Sequence, residues 1–494
     1  MSELVLGIDV GTASSKAVLA RPDGTIAAQA QRPHELSLPR PGHAEHDAEA
    51  VWWDDVVALC RELLGRAGPP AAVCVSGIGP CLLPCDSGLA PLRPAILYGI
   101  DTRATAEIAE LTERYGAGAI VARGGSELSS QAVGPKLLWL RRNEPSVWER
   151  TAGWYMASSF AVARLTGEYV LDHHSASQCD PLYDLQGARW AEDWAAEIAP
   201  GVPLPRLLWP GEVAGEVTAE GAAATGIPKG TPVLAGTIDA WAEAFSVGVR
   251  RPGDLMVMYG STLFLVQVTD GPATHPRLWA TAGVEPGTRT LAAGMATSGS
   301  ITAWFRELTG GSDWATLERE AAASPAGARG LLALPYFAGE RTPIFDPDAR
   351  GVIAGLSLSH TRGDVYRAIY ESIAFGVRHN LDVFAEAAGP GRRAVAVGGG
   401  TQAALWTQVV SDVCGIDQML PAQAVGAAYG DALLAAIGAG LVGTATDWTE
   451  TAGSVVPRPE HRGLYDALYE DYLGLYPATA ALSHRLSELQ RRAV

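Results

Sequence analysis

Two stretches of this chain share one design, and that repetition limits the folds open to it. Residues 4–20, LVLGIDVGTASSKAVLA, run as an apolar strand to Asp9, turn through Gly11-Thr12-Ala13-Ser14-Ser15, and resume as an apolar strand from Lys16. Residues 253–269, GDLMVMYGSTLFLVQVT, do the same around Gly260-Ser261-Thr262. In the first stretch Pro22-Asp23-Gly24 is a tight-turn signal that adds a third short strand from Thr25. The same meander occurring twice predicts a duplicated α/β domain rather than one long sheet. The length of 494 residues also asks for two or three domains. The expected boundary lies at Gly248, giving domains 1–248 and 249–494.

Between and after the meanders the pattern alternates. Residues 72–77 read as a buried strand, preceded by a helix over roughly 48–66 that begins near Asp47. Residues 104–115 and 135–150 read as helices, with Pro135 suited to a first turn. In the second half 362–388 is a long helix, and 393–397 is a strand running into Gly398-Gly399-Gly400-Thr401. Helices are expected from Ala403 to Cys414, over roughly 424–438, and near the end at 461–475.

Charge excludes several function classes. Lys and Arg number 37 against 54 Asp and Glu, a net charge of −17 with no clustered basic patch, which disfavours nucleic acid and anionic membranes as partners. The six cysteines lack the spacing of a zinc site and read as small buried apolar residues. His43 and His46 lack carboxylate or histidine partners at ligand spacing, so no metal is assigned to them. The N-terminus shows no secretory pattern and no apolar run spans a bilayer, so a cytoplasmic location is expected.

The turns are where chemistry can sit. Handling a triphosphate is mostly placement, by backbone N–H groups, short hydroxyls and Mg²⁺. Glycine lets the backbone approach, and Ser or Thr supplies the hydroxyl. Three such turns follow apolar strands here: Gly11-Thr12-Ala13-Ser14-Ser15, Gly260-Ser261-Thr262 and Gly398-Gly399-Gly400-Thr401. None matches the P-loop or a dinucleotide fingerprint. Asp9 and Asp239 each end a short apolar strand. Either carboxylate suits magnesium or a hydroxyl proton, while for Asp239 a helix N-cap role is an equal alternative.

In this order of segments the chain resembles the FGGY carbohydrate kinases, of the actin-like, ribonuclease-H-like ATPase superfamily, over nearly its whole length. GIDVGTASSKAVL is similar to that family's first phosphate motif and MYGSTLFL to its second. AGTIDAWAEAFSVGV falls where the family carries its catalytic aspartate. PGHAEHDAEAVWW at 41–53, GERTPIFDPDARG at 339–351 and VGGGTQAALWTQVVSDVCG at 397–415 match further family segments. The resemblance implies two duplicated domains with an interdomain cleft, the sugar on the first domain's side and the nucleotide on the second's. It implies ATP and Mg²⁺ as cofactors, Asp239 as proton acceptor in contact with the substrate, and Asp9 as a magnesium holder. Gly11, Thr12, Ser14 and Lys16 then approach the phosphates, as do Gly260, Ser261 and Thr262. Gly299, Gly399, Gly400 and Thr401 lie along the nucleotide. A homodimer is a further family expectation.

The sugar is the open question. LYGIDTRA at 97–104 is similar to the family's sugar-contacting segment, often Trp-x-Asp-x-Arg. Asp101 and Arg103 fit it, the alternative being a surface ion pair, but Gly99 stands where tryptophan is usual, with Tyr98 one position earlier. The loop Ser76-Gly77-Ile78-Gly79-Pro80-Cys81 lacks the polar Gln-Met-His-Gly groups of the xylulose-kinase branch, so the hydrogen bonds to the sugar differ. A pentulose such as D-xylulose or D-ribulose is expected first, and another ketose, a polyol or a sugar acid second. A catalytically silent sugar- and nucleotide-binding regulator is the alternative of another class.

Overall fold

Both hydroxyl-bearing turns join antiparallel strands. In the first, β1 (Val5–Val10) pairs with β2 (Ser14–Ala20) in a register that sets Asp9 opposite Lys16. The structure, a computed structural model describing residues 3–423 and 425–492, adds β3 (Ile26–Pro33) antiparallel to β2. β4 (Ala72–Gly77) lies parallel to β1, with Ser76 opposite Asp9. β5 (Val213–Glu216) and β6 (Pro232–Leu234) complete a six-stranded sheet of order β5-β6-β4-β1-β2-β3.

Every residue of β1 and β4 is buried, as expected of central strands covered on both faces. Leu6, Ile8 and Val10 face a core built on Trp52, Val56, Leu59 and Phe160. Val5 and Cys74 face the helix Ala427–Gly438 with Ala428, Ala432 and Leu433. That helix can touch the sheet because Gly7 has no side chain: a β-carbon there would stand 2.0 Å from the Ala428 carbonyl oxygen.

The second sheet repeats the plan. It contains β7 (Asp254–Tyr259), β8 (Leu263–Thr269), β9 (Trp279–Ala282), β10 (Arg289–Met295), β11 (Arg393–Val397), β12 (Gln418–Pro421) and β13 (Thr451–Val455). The order is β9-β10-β8-β7-β11-β12-β13. As in the first sheet, the strand before the turn is antiparallel to its hairpin partner and parallel to the strand on its other side. The helix Arg362–Ala388 starts with a capping box in which the Thr361 and Asp364 side chains satisfy each other's backbone N–H.

The chain forms two compact units, made of the described residues of Met1–Arg250, Ala280–Thr290 and Val425–Thr449, and of Arg251–Trp279, Leu291–Ala424 and Glu450–Val494. A single cut at 248/249 therefore does not separate them, because 280–290 and 425–449 pack with the first half. Two helices also differ from expectation. The span 135–150 is two helices, Val133–Asn143 and Pro145–Trp148, broken at Glu144, whose backbone is non-helical ahead of Pro145. The last helix runs Arg462–Arg492 and keeps Pro477 inside it, anchored by buried Tyr465, Tyr469 and Tyr472. All six cysteines are free. Among the described residues no helix is long and apolar enough to cross a membrane.

Candidate active site

The β1–β2 turn is tied down from several sides. The Gly11 N–H donates to the Ser14 carbonyl at 3.1 Å, and a β-carbon on Gly11 would lie 2.8 Å from that oxygen. The Thr12 hydroxyl meets the Tyr98 hydroxyl at 3.1 Å, and Ser14 Oγ accepts from Gln31 at 2.9 Å. His34 closes the turn from beneath. Its backbone N–H donates to Ala13 O, and its ring bridges Gly11 O at 3.0 Å and Asp55 Oδ2 at 2.9 Å. Lys16 and Asp9 are register partners beside the turn.

Four acids gather here in the first unit. Asp9 is 8% exposed, and its Oδ1 has no hydrogen-bond partner among the described residues. Burial first, and then the charges of Asp239 and Asp431, raise it well above the ordinary carboxylate range, with Lys16 opposing. Asp239 is the first residue of the helix Asp239–Ser246. The N-cap position belongs to Ile238, so Asp239 is not the cap; its Oδ1 instead accepts the adjacent Ala240 N–H at 2.7 Å. Burial raises Asp239 to about 6. One turn on, Glu243 is raised to about 7 by burial and then by the Asp239 charge. Asp431 is fully buried and takes the Ser76 hydroxyl at 2.5 Å and the Ser76 N–H at 3.2 Å. Glu243 and Asp431 carry no motif signal. Asp431 reaches the cluster only because a glycine-permitted contact seats its helix on β1.

The loop after β4 borders Asp239. The Gly77 N–H donates to Thr237 O at 3.2 Å, and Gly79 abuts Ile238, whose Cγ1 would lie 2.8 Å from a β-carbon. Asp101 and Arg103 are a buried pair, which removes the surface alternative. Arg103 Nη2 reaches Asp101 Oδ2 at 2.6 Å and Glu45 Oε1 at 2.8 Å, with side-chain exposures of 1% and 0% for the pair. The Ala44 N–H also donates to Asp101 at 2.7 Å, and the guanidinium lies 5.1 Å from the Trp139 ring centroid. At Gly99 a β-carbon would meet the Gln131 amide at 2.9 Å, so Gln131 fills the space a larger residue would need. Lys136 went unnoticed in the sequence. It is fully buried beneath this loop, donates to the carbonyls of Ser130, Gln131 and Ala132, and is lowered to about 8 by burial.

The second unit holds a cavity of about 630 Å³ lined by all three kinds of expected element: the Gly260-Ser261 turn, Gly299, and Gly399-Gly400. Gly399 faces open space, whereas Gly398 and Gly400 press on Tyr259, and β-carbons there would lie 2.6 and 2.8 Å from its atoms. Thr262 and Thr401 are not among the lining residues. Thr401 Oγ1 donates to Gly398 O at 2.8 Å and closes its own turn, and Thr262 O accepts the Gly260 N–H. The N-termini of helices Gly299–Leu308 and Ala404–Cys414 both reach the cavity, and such ends favour anionic groups. No sequence motif marks the cavity's aromatic wall. Tyr370 stacks on Trp406 with centroids 5.4 Å apart, and Tyr366 and Trp314 extend the surface. Glu318 is held there by the Tyr370 hydroxyl at 2.9 Å and the Leu405 N–H at 2.8 Å. Tryptophan and tyrosine at helical spacing read from sequence as core, and only the cavity distinguishes them.

Two sheets built around the same hairpin and parallel neighbour, the second with β9 added at its edge, each present a hydroxyl turn and define the two-domain actin-like, ribonuclease-H-like ATPase class. Within it the chain belongs to the FGGY family of carbohydrate kinases and is a sugar kinase: the family's N-terminal domain matches residues 4–246 and its C-terminal domain residues 255–439. It is 26% identical to xylulose kinase of Bacillus subtilis (strain 168), covering 99% of each chain. It is 31% identical to glycerol kinase of Nocardia farcinica, covering 77% of this chain and 78% of that one. The crystal structure of xylulose kinase from Rhodospirillum rubrum superposes with a TM-score of 0.91 at 35% identity, covering 98% of this chain and 100% of that one.

Proposed function

We propose that this kinase uses Asp239 to accept the proton of a sugar hydroxyl while that oxygen takes the γ-phosphate of ATP. The observation that carries the reading is Asp239 itself. It sits at a helix start, and its burial brings its proton affinity to about 6, close to neutral, where a general base works best. The backbone bond from Ala240 to Oδ1 orients the carboxylate without consuming its second oxygen.

The buried, unpartnered Oδ1 of Asp9 fits a cation. Among the described residues no three acid, His or Cys side chains converge to chelate a metal by themselves. That suits Mg²⁺, which commonly takes one or two carboxylates and completes its shell with water and phosphate oxygens. Asp9 would hold it, directly or through water, and the ion would supply positive charge to offset that of the transferring phosphate. Gly11, Thr12, Ser14 and Lys16 in the first unit, and Gly260, Ser261 and Thr262 in the second, are assigned to phosphates. Gly299, Gly399, Gly400 and Thr401 are assigned to the rest of the nucleotide, with its base against Trp406 and Tyr370. Asp101 and Arg103 are assigned to the sugar side.

The substrate we favour is a pentulose such as D-xylulose or D-ribulose, supported by xylulose kinases among the relatives. A polyol is the second reading, supported by the 31% identity to a glycerol kinase and by the apolar Ile78–Cys81 loop. ADP release with ATP, Mg²⁺ and a panel of ketoses, aldoses, polyols and aldonates tests both. A rate confined to pentuloses supports the first, one confined to polyols the second, and no stimulation by any member sinks the proposal.

A further inference from the structure

Beneath the first phosphate turn lies a histidine whose two ring nitrogens both face acceptors. His34 Nδ1 is 2.9 Å from Asp55 Oδ2, and Nε2 is 3.0 Å from the carbonyl oxygen of Gly11. A carbonyl has no proton to give. Asp55 is held as a carboxylate, since Arg32 Nε also donates to it at 3.1 Å and its hydrogen bonds with His34 and Arg32 help hold it below the usual carboxylate range despite its burial. A neutral imidazole has one donor and one bare lone pair, so either tautomer would set a lone pair against oxygen at hydrogen-bond distance. Only the imidazolium satisfies both contacts.

The position matters as much as the charge. The His34 backbone N–H also donates to Ala13 O at 3.0 Å, so one residue holds two successive carbonyls of the turn, those of Gly11 and Ala13. In a trans peptide the N–H points opposite to the preceding C=O. Fixing the Gly11 carbonyl toward His34 therefore turns the Thr12 N–H away from it. The charges around the ring pull both ways: Asp55 favours a cation there, and Arg32, which shares that carboxylate, opposes it. Asp55 comes from the helix Asp54–Ala67, Arg32 from β3, and His46 is 5.2 Å away edge-on. His46 accepts the Trp52 indole N–H at Nδ1 and stays neutral, lowered to about 4 by burial and then by the His34 charge.

We propose that His34 is a positioning residue, an imidazolium strapped between Asp55 and the Gly11 carbonyl that aims the turn's amides at the ATP phosphates. The proposal rests on the assignment of that turn to phosphate, and it adds a residue that touches neither ATP nor sugar. Asp55 is its anchor, and the charge lies where the triphosphate's charge is to be met.

Two measurements on the full chain test it. The first is a histidine ring ¹⁵N correlation spectrum, with the His34 signals identified by their loss in His34→Gln. Both nitrogens of His34 should carry protons at about pH 7.5, whereas free histidine is largely neutral there. A neutral tautomer overturns the proposal. The second is kinetic. His34→Gln and Asp55→Asn should each raise the KM for ATP about tenfold, as expected for losing one charge-assisted bond, with the sugar KM unmoved. A variant that melts earlier but keeps the wild-type ATP KM shows a purely structural strap and overturns the proposal. If His34→Gln does not fold, Asp55→Asn identifies the signals and carries the kinetic test. Lys16→Met separates this from the underlying reading: an unaltered ATP KM there removes phosphate from the turn, while the spectrum still reports the charge of His34.

Discussion

Gly299 stands so close to the Gly260 carbonyl that a β-carbon on it would lie 2.7 Å from that oxygen. The same carbonyl accepts the Gly299 N–H at 3.0 Å, and Ser261 O takes the Ser298 and Ser300 N–H groups at 2.9 and 3.0 Å. The second hydroxyl turn and the start of the helix Gly299–Leu308 are thus one corner of the cavity, locked through backbone and closed to any side chain at 299.

Gly299→Ala should force that corner open. The clash is with backbone on both sides, so neither partner can rotate away, and overpacking of this kind costs about 1–3 kcal/mol. We expect a lowered melting temperature and a KM for ATP raised about tenfold, with the sugar KM little changed. An unaltered ATP KM in the folded variant would show that this corner does not bear on the nucleotide.

As the proposed base, Asp239 should set an acidic limb in the rate. Burial raises its proton affinity to about 6, so below that pH the carboxyl is protonated and cannot accept the sugar's proton. The turnover number should climb with pH through about 6 and level off above it. Asp239→Asn keeps the bond to the Ala240 N–H through its amide oxygen, should bind ATP normally, and should lose turnover by about a hundredfold or more. Near-normal turnover in that variant removes Asp239 as the base.

Both meanders, the turns that join their strands and the long helix over 362–388 were legible in the sequence, because strand alternation, glycine and hydroxyl turns are local signals. What was not legible depends on packing across long sequence distances. Asp431 joins Asp9 only because its helix, far along the chain, rests on Gly7 of β1. His34 looks like a polar loop residue until Asp55 and the Gly11 carbonyl close on it. Trp406 and Tyr370 carry helical spacing that a core would also give, and the burial of Asp101 and Arg103 has no signature in the motif itself. The Pro145 break was local and readable, but a proline also suits a first helical turn, and the two readings compete at that point.

Glu340 should make stability depend on pH in the opposite sense from a salt-bridged acid. It is buried, its Oε1 accepts the Ala296 and Arg341 N–H groups at 2.7 Å each, and burial raises it to about 8. The folded state therefore binds its proton more tightly than the unfolded chain, where the group titrates near its ordinary value of 4.5. This group's contribution is most favourable below the unfolded value and is lost as pH rises from there to about 8. Glu340→Gln keeps an acceptor oxygen and removes the ionisation. At about pH 4 the variant and wild type should be nearly equal, and by pH 8 the variant should be more stable by about 4 kcal/mol. Denaturant midpoints at the two pH values check this, and a gap of the same size at both would show that ionisation is not the cause.

Asp101 and Arg103 form a buried pair and carry a proposed role at the sugar, and one variant can separate the two. The Asp101 carboxylate is saturated from the protein side by the Ala44 N–H and the Arg103 guanidinium, and Arg103 in turn leans on Glu45 and Trp139. Removing one partner of a buried pair strands the other, at a cost of roughly 3–5 kcal/mol. Asp101→Ala should therefore lower stability by that order. Asp101→Asn is gentler, since it can still accept the Ala44 N–H while its amide meets Arg103 poorly. If this segment borders the sugar, as proposed, the disturbed Arg103 should raise the sugar KM of Asp101→Asn more than tenfold and leave the ATP KM alone. Substrate-saturation curves for both ligands, taken well below the variant's melting temperature, decide the matter. A stability loss with both KM values at wild-type levels would leave the pair a structural strut and place the sugar elsewhere in the first unit.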